Sequence, residues 1–311
     1  MSRYFGPSMP IQKFPEFYGG QMGVPGSDTP LGLRAAPQGL VYYVDASHPD
    51  ASDNNDGTNP VQPKETIQSA ITASNATIDW AATPSYYGQN WIIIAPGQYA
   101  ENLTPPYYAK MVGLGQAVGG DVCVHIVPAA GSALAGTGLG LHLYNIRFDA
   151  LTAVPVIDFG VMNSCVIENC MITDGNAGLA TVGVDTTDAG GSSIIDCNFC
   201  YAADQLTIGI RSTGDFFDCK ILNCHIKAVT TGIDLSGAGL CGGSIAAHNM
   251  IWNGGTGALL ATGIDDSVVG DLFCVHNWIV AVDAISHADA NMTIDNHVNN
   301  NGAGAIELVG T

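Results

Sequence analysis

The stretch VTTGIDLSGAG, residues 229–239, holds the triplet Gly232-Ile233-Asp234, and 31 residues further on the chain reads Gly263-Ile264-Asp265 within ATGIDDS, residues 261–267. A repeated triplet at that distance raises the question of a structural period, and a period in the twenties or thirties decides a fold before any single element does. With the β-branched residue as marker, the series runs Ile157, Val184, Ile210, Ile233, Ile264, Ile285 and Ile306, with steps of 27, 26, 23, 31, 21 and 21 residues. A second series interleaves with it at Asn145, Asn169, Cys197, Asn223, Asn249 and Asn277, with steps of 24, 28, 26, 26 and 28. One member of each falls in every period. The chain is a solenoid.

Alternation around the second series tells whether its units are helical or extended. Two residues before each marker stand Leu143, Ile167, Ile195, Ile221, Ala247 and Val275, and four before stand Leu141, Cys165, Ser193, Cys219, Ile245 and Phe273. Period-two patterning of this kind specifies strands whose even positions face inward. After the marker the inward set moves to odd positions, with Ile146, Cys170, Cys224, Met250 and Trp278 one residue on and Asn198 the exception, and Phe148, Ile172, Cys200, Ile226, Trp252 and Val280 three residues on. The change of parity predicts a bend at the marker. Asn145, Asn169, Asn223, Asn249 and Asn277 are then expected to stack as an amide ladder from coil to coil. The leucine-rich frame LxxLxLxxN is absent, and 39 Gly suit coils joined by tight turns.

The opening adds five segments: VYYVD (41–45), SDNNDGTNP (52–60), ETIQSAITA (65–73), WIIIAPGQYAENL (91–103) and MVGLG (111–115). Together with the repeat they resemble right-handed parallel β-helix proteins of the pectate-lyase-like superfamily, and in particular virion proteins of bacteriophages built on that fold. The resemblance covers roughly residues 40–311 and implies an all-β solenoid. It also implies that ETIQSAITA is a short helix capping the first coil. Ile67, Ala70 and Ile71 give that helix one apolar stripe. The expected organisation is an extended arm over 1–39, a β-helix entry and capping segment over 40–115, and coils over 116–311.

Nine Lys and Arg against 28 Asp and Glu give a formal net charge of −19, and a nucleic-acid binder would carry the opposite imbalance. No run of some 18 apolar residues predicts a membrane span, and MSRYFGPSMPIQKFPEFYGG lacks the apolar core of a secretory signal. With nine Cys, synthesis in a host cytoplasm is expected, with the thiols packed as small hydrophobes rather than gathered as a zinc site. The arm carries Tyr4, Phe5, Phe14, Phe17 and Tyr18 among six prolines. Proline forbids a continuous helix there, and so many aromatics predict docking on a neighbouring virion or capsid protein.

Candidate chemistry lies on outward columns. Glu168 and Asp196 are expected one coil apart, about 4.8 Å by strand spacing, near the separation of a retaining glycosidase pair. Asp158, Asp185, Arg211, Asp234 and Asp265 form a column of compensating charge, in which Asp158 and Asp185 could hold Ca²⁺; no other cofactor is indicated. The loop SDNNDG fails the EF-hand frame, because Pro63 stands where the bidentate Glu is needed. His248 and His276 share a column as surface histidines. A last outward column reads Arg147, Met171, Phe199, His225, Ile251 and Ile279, four of them apolar. Such a stripe needs a cover, and the resemblance implies a homotrimer. The expected function is a non-catalytic virion component, a capsid decoration or head or tail appendage. The alternative is a glycan-cleaving β-helix enzyme, such as a tailspike depolymerase or polysaccharide lyase, or a carbohydrate-binding adhesin that holds a surface glycan.

Overall fold

The structure is a computed structural model that describes residues 39–78, 90–115, 123–175, 181–199, 206–253, 260–267, 271–287 and 293–299, with the backbone of three further short strands, Glu16–Tyr18, Gln21–Gly23 and Glu307–Val309. It is an all-β, right-handed parallel β-helix with a short N-terminal helix. The central coils run through three lanes of strands, and the terminal coils through one or two of them. Lane A stacks ten parallel strands from Val41–Val44 through Val166–Glu168 and Lys220–Leu222 to Thr293–Ile294. Lane B runs from Gly97–Tyr99 through Arg147–Asp149 and Met250–Asn253 to Asn296–Asn299. Lane C carries the Gly-Ile-Asp series, in strands such as Ile157–Asn163, Val182–Gly190 and Leu260–Asp266. In the coils of His225–Asp234 and Trp278–His287, lanes B and C are one unbroken strand.

The opening triplet is explained by its three positions. Ile157, Val184, Ile210, Ile233, Ile264 and Ile285 are hydrogen-bonded register partners from coil to coil, and all but the half-buried Ile285 are buried in the core. The residue after each points outward as the Asp column. The residue before the marker is glycine in four of these six coils, Gly183, Gly209, Gly232 and Gly263, where the next coil passes too close for a side chain. A Cβ on Gly232 would sit 2.6 Å from the Gly263 carbonyl oxygen and 2.3 Å from Ile251 Cγ2; one on Gly263 would sit 2.4 Å from the Ala284 oxygen. Glycine is therefore required there by packing.

The bend between lanes A and B is a single residue in the left-handed region, at Asn145, Asn169, Asp196, Asn223, His248, His276 and Asp295, with φ between 48° and 58°. Asn, Asp and His are the non-glycine residues that tolerate this conformation best. The residue after the bend points inward, and this column reads Ile146, Cys170, Cys197, Cys224, Asn249, Asn277 and Asn296 by register. The five asparagines expected in one ladder are thus divided between two columns. Asn145, Asn169 and Asn223 occupy the corner, where Asn169 Nδ2 donates to Asn145 Oδ1 at 3.2 Å and Asn223 is exposed. Asn249 and Asn277 belong to the next column with Asn296, all three within 1 % of complete burial. Asn249 Nδ2 donates to Asn277 Oδ1 at 3.0 Å, Asn277 Nδ2 to Asn296 Oδ1 at 2.9 Å, and each Oδ1 also accepts a backbone N–H from the coil above.

The helix forms as expected. Ile67–Ala76 buries Ile67, Ala70, Ile71 and Ser74 over the first coil. Thr66 caps it by accepting from Ser69 N, and the Glu101 carboxylate accepts from the N–H groups of Ile67 and Gln68, both at 2.9 Å. Negative charge at a helix N-terminus satisfies donors that have no partner within the helix. Of the arm, strands Glu16–Tyr18 and Gln21–Gly23 pair antiparallel, with Phe17 opposite Met22; Tyr4, Phe5 and Phe14 lie outside the described residues. No helix among the described residues is long and apolar enough to cross a membrane.

Candidate functional site

The outer face of lane B holds most of the polar and aromatic groups that could meet a ligand. Its first outward column runs Gln98, His125, Arg147, Met171, Asn198, His225, Met250, Trp278 and His297 in continuous register. The upper part is a closed charge cluster. Asp149 is 1 % exposed, and its carboxylate accepts from Arg147 NH2 at 2.9 Å, Arg147 Nε at 3.2 Å, and Thr173 Oγ1, while Oδ2 lies 2.5 Å from His125 Nε2. Burial alone would raise the pKa of Asp149, but the hydrogen bonds from His125, Arg147 and Thr173 outweigh it and hold the carboxyl below its usual range.

The lower part is aromatic. Met250 is 42 % exposed, Trp252 38 % and Trp278 45 %. The Trp278 ring stacks on His297 at 6.1 Å, and the Trp252 ring lies 5.0 Å from that of His225. His225 has a lowered pKa, from burial first and then from Lys227, so it is neutral at neutral pH. Its Nε2 is buried and has no hydrogen-bond partner among the described residues.

Three of the four apolar residues expected on this face are inside the protein. Phe199, Ile251 and Ile279 are fully buried in the core, whereas Met171 keeps its outward register position, at 2 % exposure. The physical reason is a slip of one residue in the coils marked by Cys197, Asn249 and Asn277, whose bends are at Asp196, His248 and His276 instead; a slip of one exchanges the two faces of a strand. Met250, Trp252 and Trp278, assigned inward by the same slip, are the exposed residues. A local signal for the true bend does exist in His248-Asn249 and His276-Asn277, each of which offers two residues suited to a left-handed corner.

The same slip removes the carboxylate pair. Glu168 is the register partner of Ile195 and hydrogen-bonds His142 Nε2 at 3.0 Å, whereas Asp196 occupies the corner. Asp158 and Asp185 do sit side by side, and Arg211 from the next coil engages Asp185 through two bonds, 2.8 and 2.6 Å. Burial, then the neighbouring Asp185, raises the pKa of Asp158. No group of three or more metal-ligating side chains occurs among the described residues. His248 and His276 stack face to face at 5.3 Å. All eight described cysteines are free, and seven are buried.

No family model and no curated protein matches the chain. Among solved structures it aligns with a pectin methylesterase from carrot, at 11% identity over 88% of this chain and 90% of that one, with a TM-score of 0.33. The fold itself, a right-handed parallel β-solenoid, rests on the coil register described above. The expectation of a virion component is corrected at this point. Most of the outward stripe that supported it is core, since Phe199, Ile251 and Ile279 face the interior.

Proposed function

We propose that the protein binds an extended, uncharged glycan along the lower outer face of lane B. The observation that carries this reading is the exposed aromatic run of Trp252 and Trp278, flanked by His225 and His297 and followed along the same strand by Val282 at 62 % exposure. Two of the four Trp of the chain are on this face. Indole rings offer broad, electron-rich π faces on which the C–H faces of sugar rings pack, with little side-chain entropy lost. A polymer laid along the solenoid axis meets a new strand about every 4.8 Å and so repeats its contacts from coil to coil. The orphaned Nε2 of His225 is a polar atom that a ligand hydroxyl would satisfy once Trp252 moves.

Charge selects among glycans. With a formal net charge of −19 the protein repels polyanions, and Arg147 is already bound to Asp149. Binding without cleavage is supported by the separation of Glu168 from Asp196. The test is titration with soluble neutral and acidic polysaccharides, followed by Trp fluorescence and calorimetry. A neutral polymer should bind, and Trp252→Ala with Trp278→Ala should abolish binding while the melting temperature stays within a few degrees of wild type. Equal binding by the double variant, or reducing ends released by the wild type, would count against the proposal.

A further inference from the structure

We infer that lane A's outer face is a self-association surface, and that two copies of this chain pack there about a two-fold axis. At its upper end this face is already covered: Val41, Tyr43 and Ile93 point outward, yet are 3 %, 8 % and 8 % exposed and form a small apolar cluster of their own. The same two outward columns continue downward without that cover. Ile195, Leu222, Ala247, Val275 and Ile294 follow one another in one column, the small Ala247 recessed at 4 % exposure, with Ile245 and Phe273 beside them in the other. Phe273 is 39 % and Ile294 43 % exposed. A flat apolar sheet face of this length on a water-soluble fold calls for a partner surface.

Electrostatics favour a second copy over another partner. The chain carries 19 more acidic than basic residues, so two copies repel one another wherever acids are displayed, as along the Asp158, Asp185, Asp234 and Asp265 column of lane C. Lane A's outward columns carry only Lys110, Lys220 and Glu168 among the described residues, a sum of +1 with His142 neutral. It is a face on which like copies can approach. A two-fold axis lying along strand Ser193–Ile195 sets strand Val166–Glu168 of one copy across from strand Lys220–Leu222 of the other, and self-complementarity of this kind places Glu168 level with Leu222 and diagonal to Lys220 twice, a spacing that long side chains span. About a dozen side chains per copy face the contact, fewer than in a standard interface, so the dimer should form in the micromolar range.

Sedimentation velocity across a concentration series tests this on the full chain, with circular dichroism as the check on folding. Wild type should pass from monomer to dimer, and Leu222→Asp should remove the dimer. Glu168→Lys and Lys220→Glu should each weaken it several-fold, and the two together should restore it. Trp278→Asp, on lane B, should leave it unchanged, which separates this surface from the glycan face. A wild type that stays monomeric throughout, an assembly larger than a dimer, a dimer indifferent to Leu222→Asp, or a double charge variant no better than the single ones would overturn the inference.

Discussion

The inward column beside the lane A to lane B corner is built in two chemistries. In the upper coils it is a stack of thiols, Cys170, Cys197 and Cys224; in the lower coils it is a stack of amides, Asn249, Asn277 and Asn296. Position and burial are alike. What differs is how much each residue depends on its neighbours. A thiol packs as a small hydrophobe and makes only weak bonds, as Cys197 Sγ does to the carbonyls of Ile195 and Ile167 at 3.2 and 3.4 Å and to the neighbouring thiols of Cys170 and Cys224. An amide brings two donors and an acceptor into the core, all of which need partners. Asn277 meets that demand by donating to Ala246 O and Asn296 Oδ1 and by accepting from Asn249 Nδ2 and N. The ladder has to be complete, whereas the thiol stack tolerates gaps. At the junction the two meet without a fault, because Asn249 Oδ1 accepts the N–H of Cys224 at 2.9 Å.

That difference can be broken or sharpened by substitution. Asn277→Leu should have the largest effect, a loss of about 3 kcal/mol, because the Ala246 carbonyl and the donors of Asn249 are left buried without their partner; urea denaturation measures it. Cys197→Ala should cost about 1 kcal/mol, the contribution of one buried sulfur. Burial holds the thiols of Cys170 and Cys197 well above their ordinary pKa, so a maleimide probe at pH 8 should label the half-buried Cys123 before either. Early labelling of Cys197 would mean that the coils open there. The smallest effect belongs to the corner: Asn223→Gly should shift stability by no more than a few tenths of a kcal/mol, since glycine adopts φ near 55° without strain. If that variant lost as much as Asn277→Leu, the corner amide would be part of the ladder after all.

The period and the Asp column were legible in the sequence, because each depends on spacing between residues of one type, while the capping helix came from the resemblance of ETIQSAITA and its neighbours to β-helix proteins. The β-branched marker of Gly-Ile-Asp never slips, since a buried Ile at that point has no neighbour that could stand in for it. The Asn marker does slip. A left-handed corner accepts Asn, Asp or His, and in the coils of Asn249 and Asn277 the inward residue that follows is itself Asn. Counting asparagines therefore joined corner residues to core residues, and half of the lane B assignments changed face: Phe199, Ile251 and Ile279 went in, Met250 and Trp278 came out. Candidate sites were lost and gained by the same step. The His125, Arg147 and Asp149 cluster was beyond reach for another reason, because its members come from two coils and no spacing rule links a histidine in one to a carboxylate in the next.

One strand of the fold runs against all the others in its sheet. Glu307–Val309 pairs antiparallel with Asn296–Asn299, the last strand of lane B. A solenoid of parallel strands is otherwise its own template: the hydrogen-bonding edge of the final coil matches the edge that the first coil offers, and molecules could add end to end into a fibre. The reversed strand presents the wrong polarity for such an addition, and helix Ile67–Ala76 covers the core at the opposite end. Stacking is thus opposed at the last strand of lane B and over the first coil.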